Sequence, residues 1–451
     1  MTAWRRLSQA MLLAVFVAFL AWPQRAWLGE VLFRADPLLI PTALMLDLSW
    51  GASLLLVAVL LVVTLLWGRV FCGWICPLGA CIDSVDHVVG VRVRLPSLSR
   101  LKYHLLLLLL AAAAGGVVLT WVIDPINWAA RVAGFIGSGH LEIPWMLGLA
   151  GLLLLLSLTT GRRGFCRLLC PVGALLGSIS RLSLFRRRHD AGRCTSCQRC
   201  VRECRMAAIG PGAERFDRAE CVHCRDCDEG CPEGALGFSY RRPGRPEALT
   251  TQGGHLVRRQ YLLTLGGGAA AAVALRLLPG HTRDQEAVLR PPGCVEPDRL
   301  ADLCVRCGSC LRVCPSSTLV SSTRGGWALF QTPELVARRG GCLHGCNGCG
   351  QVCPTGAIRP LDLGQKRRAV IGRARIDTRR CRAHRGAAGC VVCAAACPFE
   401  AIALQRGRTN ARWGDAIALP SVVTDRCTGC GLCEAACPVS SESAIRVHPG
   451  R

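Results

Sequence analysis

Leu7 to Trp22 is an almost uninterrupted run of apolar residues. Leu48 to Trp67, Tyr103 to Ile123 and Ile143 to Leu158 repeat the pattern. Each run is near the ~20 residues that carry a helix across the hydrocarbon core of a bilayer. Charge is nearly absent within all four, which argues against buried helices of an ordinary globular core. A leader peptide alone would not be followed by three more such runs. The pattern predicts a four-helix transmembrane bundle over residues 1–185.

Basic residues orient that bundle. Arg5 and Arg6 precede the first run. Arg69, Arg92, Arg94, Arg100 and Lys102 lie between the second and third, and Arg162, Arg163, Arg167 and Arg186 to Arg188 follow the fourth. In the other two loops Arg25, Arg34 and Arg131 are offset by Glu30, Asp36, Asp124 and Glu142. The positive-inside rule puts the N-terminus and the stretch after residue 160 in the cytoplasm of a bacterial inner membrane. A weaker apolar segment spans 255–279, where Arg258-Arg259 precedes LTLGGGAAAAVAL. Paired arginines before a Gly/Ala-rich segment resemble a twin-arginine export signal. It predicts a further crossing, with residues 290–451 periplasmic. Export of folded, loaded domains would suit cysteines that an oxidising compartment threatens.

The polar remainder is punctuated by cysteine. Twenty-four of the 30 cysteines fall into six quartets. These are Cys194, Cys197, Cys200 and Cys204; Cys221, Cys224, Cys227 and Cys231; Cys304, Cys307, Cys310 and Cys314; Cys342, Cys346, Cys349 and Cys353; Cys381, Cys390, Cys393 and Cys397; and Cys427, Cys430, Cys433 and Cys437. Four read C-x2-C-x2-C-x3-C, and proline follows five. That is the spacing of bacterial ferredoxins, in which three close thiolates grip one iron–sulfur cube and the fourth cysteine reaches the neighbouring cube. Zinc frameworks space their C-x2-C pairs further apart, and disulfides this crowded would be strained. The quartets therefore predict six [4Fe–4S] clusters. The first quartet ends in Arg205 rather than proline, which makes Cys204 its least secure ligand. The fifth opens its first gap to eight residues and reads as a loop insertion.

The expected fold is multidomain. An α+β ferredoxin domain of two clusters over 186–245 follows the bundle, and one of four clusters occupies 290–451. Each unit would be a cysteine loop, a short helix and a strand or hairpin, with Val320 to Phe330 and Ala369 to Ile376 as strand or turn. Ligand exchange in the last four quartets is open between adjacent pairs and a nested arrangement.

A second motif sits near the ends of the second and fourth apolar runs. Gly68 to Ala80 reads GRVFCGWICPLGA and Gly161 to Ala174 reads GRRGFCRLLCPVGA. Cys72 and Cys76, like Cys166 and Cys170, are four apart, which on one helix puts both thiols on one face. Two such hairpins would bring the four sulfurs together, in a redox or metal role. Cys81 has no counterpart in the second copy, and Cys294 has no assigned role.

The formal charge of +24 invites a nucleic-acid partner. Only Lys102 and Lys366 are lysine, no aromatic residues interleave the arginines, and no nucleic-acid motif is present, so anchoring charge and acidic redox partners account for it better. Gly266 to Gly268 is not a dinucleotide loop, so neither flavin nor nicotinamide is expected. His104 and His87 find no C-x-x-C-H site and no second axial ligand, so haem is not expected either.

Taken together, the C-x3-C-P repeat and its trailing two-cluster module resemble the NapH/MauN-type membrane ferredoxins. Arg290-Pro291-Pro292-Gly293, Cys304-Val305-Arg306-Cys307-Gly308, the widened fifth quartet and Thr428-Gly429-Cys430-Gly431 resemble the NapG/MauM-type partner. The resemblance implies the two fused head to tail. It implies a quinol dehydrogenase that draws on the membrane quinone pool and feeds a periplasmic reductase or cytochrome c, in a nitrate-reductase-type or similar system. It also implies nested pairing of the last four quartets. Asp124, Glu142, Asp83 and Asp86 would then be candidates to accept quinol protons. Two other readings stay in play: a maturation or redox scaffold acting through Cys72, Cys76, Cys166 and Cys170, and electron export from a cytoplasmic ferredoxin.

Overall fold

The computed structural model describes residues 2–21, 36–38, 51–89, 100–114, 119–128, 131, 143–240, 258–277, 288–324, 326–386, 389–409, 416–440 and 442–450. Glu142, the ends of several apolar runs and residues 241–257 lie outside them. The chain forms two compact units. One comprises residues 1–22, 31–132 and 141–276; the other is chiefly residues 277–451.

The first unit begins with helices. α1 (Thr2–Ala21), α2 (Gly51–Trp67), α3 (Pro77–Val89), α4 (Leu101–Ala114), α5 (Ile143–Thr160), α6 (Gly164–Leu168) and α7 (Pro171–Ser180) follow in order. A π turn, Phe71–Ile75, precedes α3. No helix among the described residues is long and apolar enough to cross a membrane, which overturns the transmembrane bundle. α2, α4 and α5 have 17, 14 and 18 residues. At about 1.5 Å per residue their described residues cover about 26, 21 and 27 Å, against a hydrocarbon core of ~30 Å. The run Tyr103 to Ile123 is not one helix: besides α4 (Leu101–Ala114) it holds a 3-10 turn at Thr120–Val122. α1 opens on Arg5 and Arg6, and α10 (Arg258–Leu277) carries three arginines and three glycines. An apolar run in sequence is a statement about composition. Where the helix starts and stops is decided by prolines, turns and neighbours.

The helices lead into a small antiparallel pair. β1 (Phe185–His189) pairs with β2 (Leu236–Tyr240) in the register Phe185 opposite Tyr240. Between them lie the first two cysteine loops and the short helices α8 (Arg199–Glu203) and α9 (Asp226–Glu229). Val201, Ile209, Ala213 and Leu236 form the core there, with Cys200, Cys204, Phe216, Cys231 and Phe238 packed on it.

The second unit has α11 (Pro297–Leu303), α12 (Ser309–Val313), β3 (Leu319–Ser321), α13 (Gly326–Leu329), β4 (Pro333–Leu335), α14 (Gly348–Gln351), α15 (Leu363–Arg368), β5 (Gly372–Ile376), α16 (Val392–Ala395), β6 (Ile402–Thr409), β7 (Ala416–Val422), α17 (Leu432–Ala436) and β8 (Ile445–Pro449). The strands pair antiparallel as β3 with β4, β5 with β8 and β6 with β7. Its core mixes Leu289, Leu311, Leu319, Ile358, Ile402 and Ile445 with the cysteines themselves. Domains this poor in large side chains leave much of their interior to whatever the cysteines hold.

Candidate functional site

The compact quartets share one loop conformation. The residue before the second cysteine and the one after it are both left-handed: Ser196 and Gln198, His223 and Arg225, Arg306 and Gly308, Gly429 and Gly431, with φ between 51° and 78°. Paired turns of this hand curl successive peptide N–H groups inwards, making a concavity suited to anionic sulfur. Three residues past the fourth cysteine the chain turns left-handed again at Ala207, Gly234, Ser317, Gly356 and Glu400. That turn lets the next backbone N–H groups fold back on the thiol. Ala208, Ala235 and Ala401 donate to the Sγ atoms of Cys204, Cys231 and Cys397 at 3.2, 3.3 and 3.3 Å, and Ile358 donates to Cys353 at 3.4 Å. Bonds of this kind favour the thiolate and tune the potential of what it ligates.

Each set of three thiols is completed by the fourth cysteine of its neighbour. Cys194, Cys197 and Cys200 line one cavity with Cys231. Cys204 stands beside Cys221, Cys224 and Cys227. Cys353 stands beside Cys304, Cys307 and Cys310, while Cys314 lines a cavity with Cys342, Cys346 and Cys349. Cys437 joins Cys381, Cys390 and Cys393, and Cys397 joins Cys427, Cys430 and Cys433. The exchange is therefore adjacent, third with fourth and fifth with sixth, which corrects the nested pairing that the resemblance implied. The physical reason is local. The helices of neighbouring quartets pack on each other, α12 on α14 and α16 on α17, so each fourth cysteine, one helix along, falls beside the next loop.

The four cavities are lined alike, each by four cysteines, which suits one kind of occupant. Among the described residues no three His, Cys, Asp or Glu side chains converge as they would on one metal ion. Thiolates spread around a cavity are what a cube needs, one to each corner iron. The donor set and the loops thus fit [4Fe–4S] clusters. Burial pushes the Cys304 thiol up to about 11 and the Cys433 thiol up to about 12. Loading must displace their protons.

The other sequence candidates fall as follows. Cys204, despite lacking the proline, takes its place in the second set. Cys381 reaches the fifth cavity across its insertion. Cys72, Cys76, Cys166 and Cys170 come together in the first unit, but not on continuous helices. Cys72 lies in the π turn and Cys166 in α6, while Cys76 and Cys170 immediately precede Pro77 and Pro171, the first residues of α3 and α7. Proline is well placed there because the first helical N–H has no partner to lose. Cys81 is exposed, and Cys294 sits by Arg290 near the third set. Asp83 is no free base. Arg163 grips it through two bonds of 2.7 Å, and Arg205 adds a contact at 3.1 Å. Burial alone would raise this carboxyl, but the two guanidiniums outweigh it and hold the group well below the usual carboxylate range. Asp86 accepts the Arg163 N–H at 2.6 Å, and Asp124 accepts the N–H groups of Ile126 and Asn127. His104 is hydrogen-bonded to Thr264 at 2.6 Å.

Sequence reasoning missed two charged groups. Lys366 is buried, donates to the Leu343 carbonyl and stands beside the Cys342 thiol. Arg69 is fully buried, and its Nη1 donates to the Ala219 carbonyl at 2.7 Å. The rarity of lysine was the only signal for the first, and the matching position of arginine in the two repeats the only one for the second.

Comparison with known proteins agrees with this layout. A model described as a 4Fe-4S binding domain matches residues 49–96 and again 142–189. Two models described as 4Fe-4S dicluster domains match 295–370, which holds the third and fourth quartets, and 388–441, which holds the sixth and the last three cysteines of the fifth. The ferredoxin-type protein NapG of Escherichia coli is 38% identical over 42% of this chain and 83% of its own length. The methylamine utilization ferredoxin-type protein MauM of Methylorubrum extorquens is 37% identical over 42% of this chain and 89% of its own. The ferredoxin-type protein NapH of Haemophilus influenzae is 30% identical over 46% of this chain and 75% of its own. No solved structure matches the chain.

Proposed function

The chain belongs to the NapG/NapH-type ferredoxins, iron–sulfur proteins of electron transfer, and on that premise we propose that it oxidises quinol and passes the electrons to a periplasmic reductase or cytochrome. We read it as the fusion of a NapH-type part with a NapG-type part, holding six clusters. Support for the fusion comes from the two kinds of relative, each matched over less than half of this one chain.

The observation that carries the electron-transfer reading is the exchange of fourth cysteines. It locks cluster sites into close pairs, so that no step within a pair is longer than one short helix. A [4Fe–4S] cluster supplies one-electron chemistry, which suits a donor that gives up two electrons in turn. The protein does the rest. Its peptide N–H groups bond to the cysteine sulfurs, and its backbone fixes the order of the sites. In the second unit the Cys342 N–H donates to the Cys430 carbonyl at 2.6 Å, which joins the fourth quartet to the sixth. The spatial order of the last four sites is therefore third, fourth, sixth, fifth.

The test is a potentiometric EPR titration of the anaerobically purified full-length chain, with and without a water-soluble quinol analogue. Reduction of the clusters by the quinol analogue is the expected result. Clusters that respond only to a low-potential donor such as dithionite would sink the quinol reading and leave the cluster assignment standing.

A further inference from the structure

We propose that Cys72, Cys76, Cys166 and Cys170 form one shared cluster site, two ligands from each repeat, which takes a [4Fe–4S] cluster between the buried guanidiniums of Arg69 and Arg163. The 4Fe-4S model matches each copy by itself. The geometry instead places a single site across both. The inference rests on the iron–sulfur reading for the kind of group bound, but not on quinol as donor.

The two copies are related by a crossed exchange. Each arginine precedes the first cysteine of its own repeat by three residues, and each reaches into the other repeat. From the second copy, Arg163 donates through Nη1 to the Cys72 carbonyl at 3.0 Å. Its Nη2 lies 3.6 Å from where a Cβ on Gly79 would stand, as does the Cys76 Cβ. From the first copy, Arg69 places Nη2 2.6 Å from the Cβ position of Gly173, with the Cys170 Sγ 3.4 Å from the same point. Gly79 and Gly173 each follow the second cysteine by three residues. A side chain at Gly173 would push the Arg69 guanidinium out, while one at Gly79 would stand in ordinary contact with that of Arg163. Cys170 also accepts the Gly173 N–H at 3.2 Å, so the thiol is already held as an acceptor.

Thiols packed as small apolar groups would not need this arrangement. Both arginines are fully buried, and the Nε and Nη2 of Arg69 have no hydrogen-bond partner among the described residues. Leaving donors of a buried cation unmet is costly unless an anion is due there. The nearest carboxylate, Glu220, is shared with the fully buried Lys102, so positive charge is left over on the Cys170 side. A cube held by four thiolates is an anion, and it would receive that charge. The site also abuts a ferredoxin loop. A Cβ on Gly73 would meet the Val222 carbonyl at 2.3 Å, and Trp74 Nε1 donates to the His223 carbonyl at 3.1 Å. Val222 and His223 lie between Cys221 and Cys224, so the second quartet is the neighbour of the proposed site.

The test counts metal and acid-labile sulfide in the anaerobically reconstituted full-length chain and in C72S, C166S, C72S/C166S and C81S. Each single variant in the repeat should lose about four irons and about four sulfides per chain. The double variant should lose no more than either single one, and C81S nothing. Unchanged iron in C72S and C166S would overturn the proposal, as would losses that add in the double variant, or a loss of zinc in place of iron. Intact EPR signals from the quartets show that a variant has folded. Should they vanish too, R69Q replaces the cysteine variants, since it keeps all four thiols. It should retain the iron and shift the midpoint of one centre only, and a titration identical to that of the unaltered chain would reject the arginine contact. A chain that fails to oxidise quinol leaves these counts untouched, so the two readings fail separately.

Discussion

Lys366 shows what a single residue adds to a cluster protein. Its ammonium lies beside the Cys342 thiol and lowers the cost of negative charge there, opposing the burial that pushes that thiol up. It also lies within electrostatic reach of Cys430, the contact point of the fourth and sixth quartets. An ammonium roughly 7 Å from an added electron, at an effective dielectric of about 20, stabilises it by about 2.4 kcal/mol. That is on the order of 100 mV for one electron. K366M should therefore lower the midpoint of the cluster at the fourth quartet by that order, with a smaller shift at the sixth. A redox titration by EPR reads both, and unchanged midpoints would show that the charge is compensated elsewhere. Sequence marks Lys366 as rare but gives no hint of its place, because its partners lie in a different loop. The quartet ligands were legible for the opposite reason. In the compact quartets seven residues, Cys194 to Cys200 for example, hold three of the four donors, so their chemistry is written locally. Asp83 repeats the lesson: its spacing offered a free carboxylate, and two arginines from distant segments claimed it.

At the scale of elements, the left-handed pair flanking each second cysteine could have been read from Gly308, Gly429 and Gly431, but not from Ser196, Gln198, His223, Arg225 or Arg306. Non-glycine residues adopt that hand only when the surroundings insist, and here the concavity of the loop does so. Gly429 is the most constrained of them. Its φ is +74°, and a Cβ there would lie 2.4 Å from the backbone N and O of Gly372 on β5. G429A should thus cost about 1–3 kcal/mol and separate the sixth loop from the sheet of β5 and β8. The neighbouring bond from Ala374 to the Cys427 thiol, 3.4 Å, would go with it. The expected result is a lower Tm with selective loss of the cluster at Cys427, Cys430 and Cys433; an unaltered iron count would show that the strand yields instead. The helices were less legible than the loops. The apolar runs announced helix, but their lengths were set by features that composition does not carry: the π turn after α2, the prolines that start α3 and α7, and the 3-10 turn that ends the third run.

For the whole molecule, the pairing of quartets is the property on which the order of electron transfer rests. The number of quartets was legible at once, because each is a contiguous word. Their pairing was not, since adjacent and nested exchange use the same words, and only the packing of α12 on α14 and α16 on α17 chooses between them. The choice has a sharp consequence for serine variants of the fourth cysteines. Under adjacent exchange, C437S removes a ligand from the site of Cys381, Cys390 and Cys393, and C353S one from the site of Cys304, Cys307 and Cys310. Under nested exchange, C437S would instead strike the site of Cys304, Cys307 and Cys310. A serine in place of one ligand removes or alters the EPR signal of one centre, so variants that share a centre should share a signature. C437S should therefore change the same signal as C381S, and C353S the same signal as C304S. If C437S and C304S alter one signal in common, the adjacent order is wrong, and with it the sequence third, fourth, sixth, fifth through which the second unit would carry its electrons.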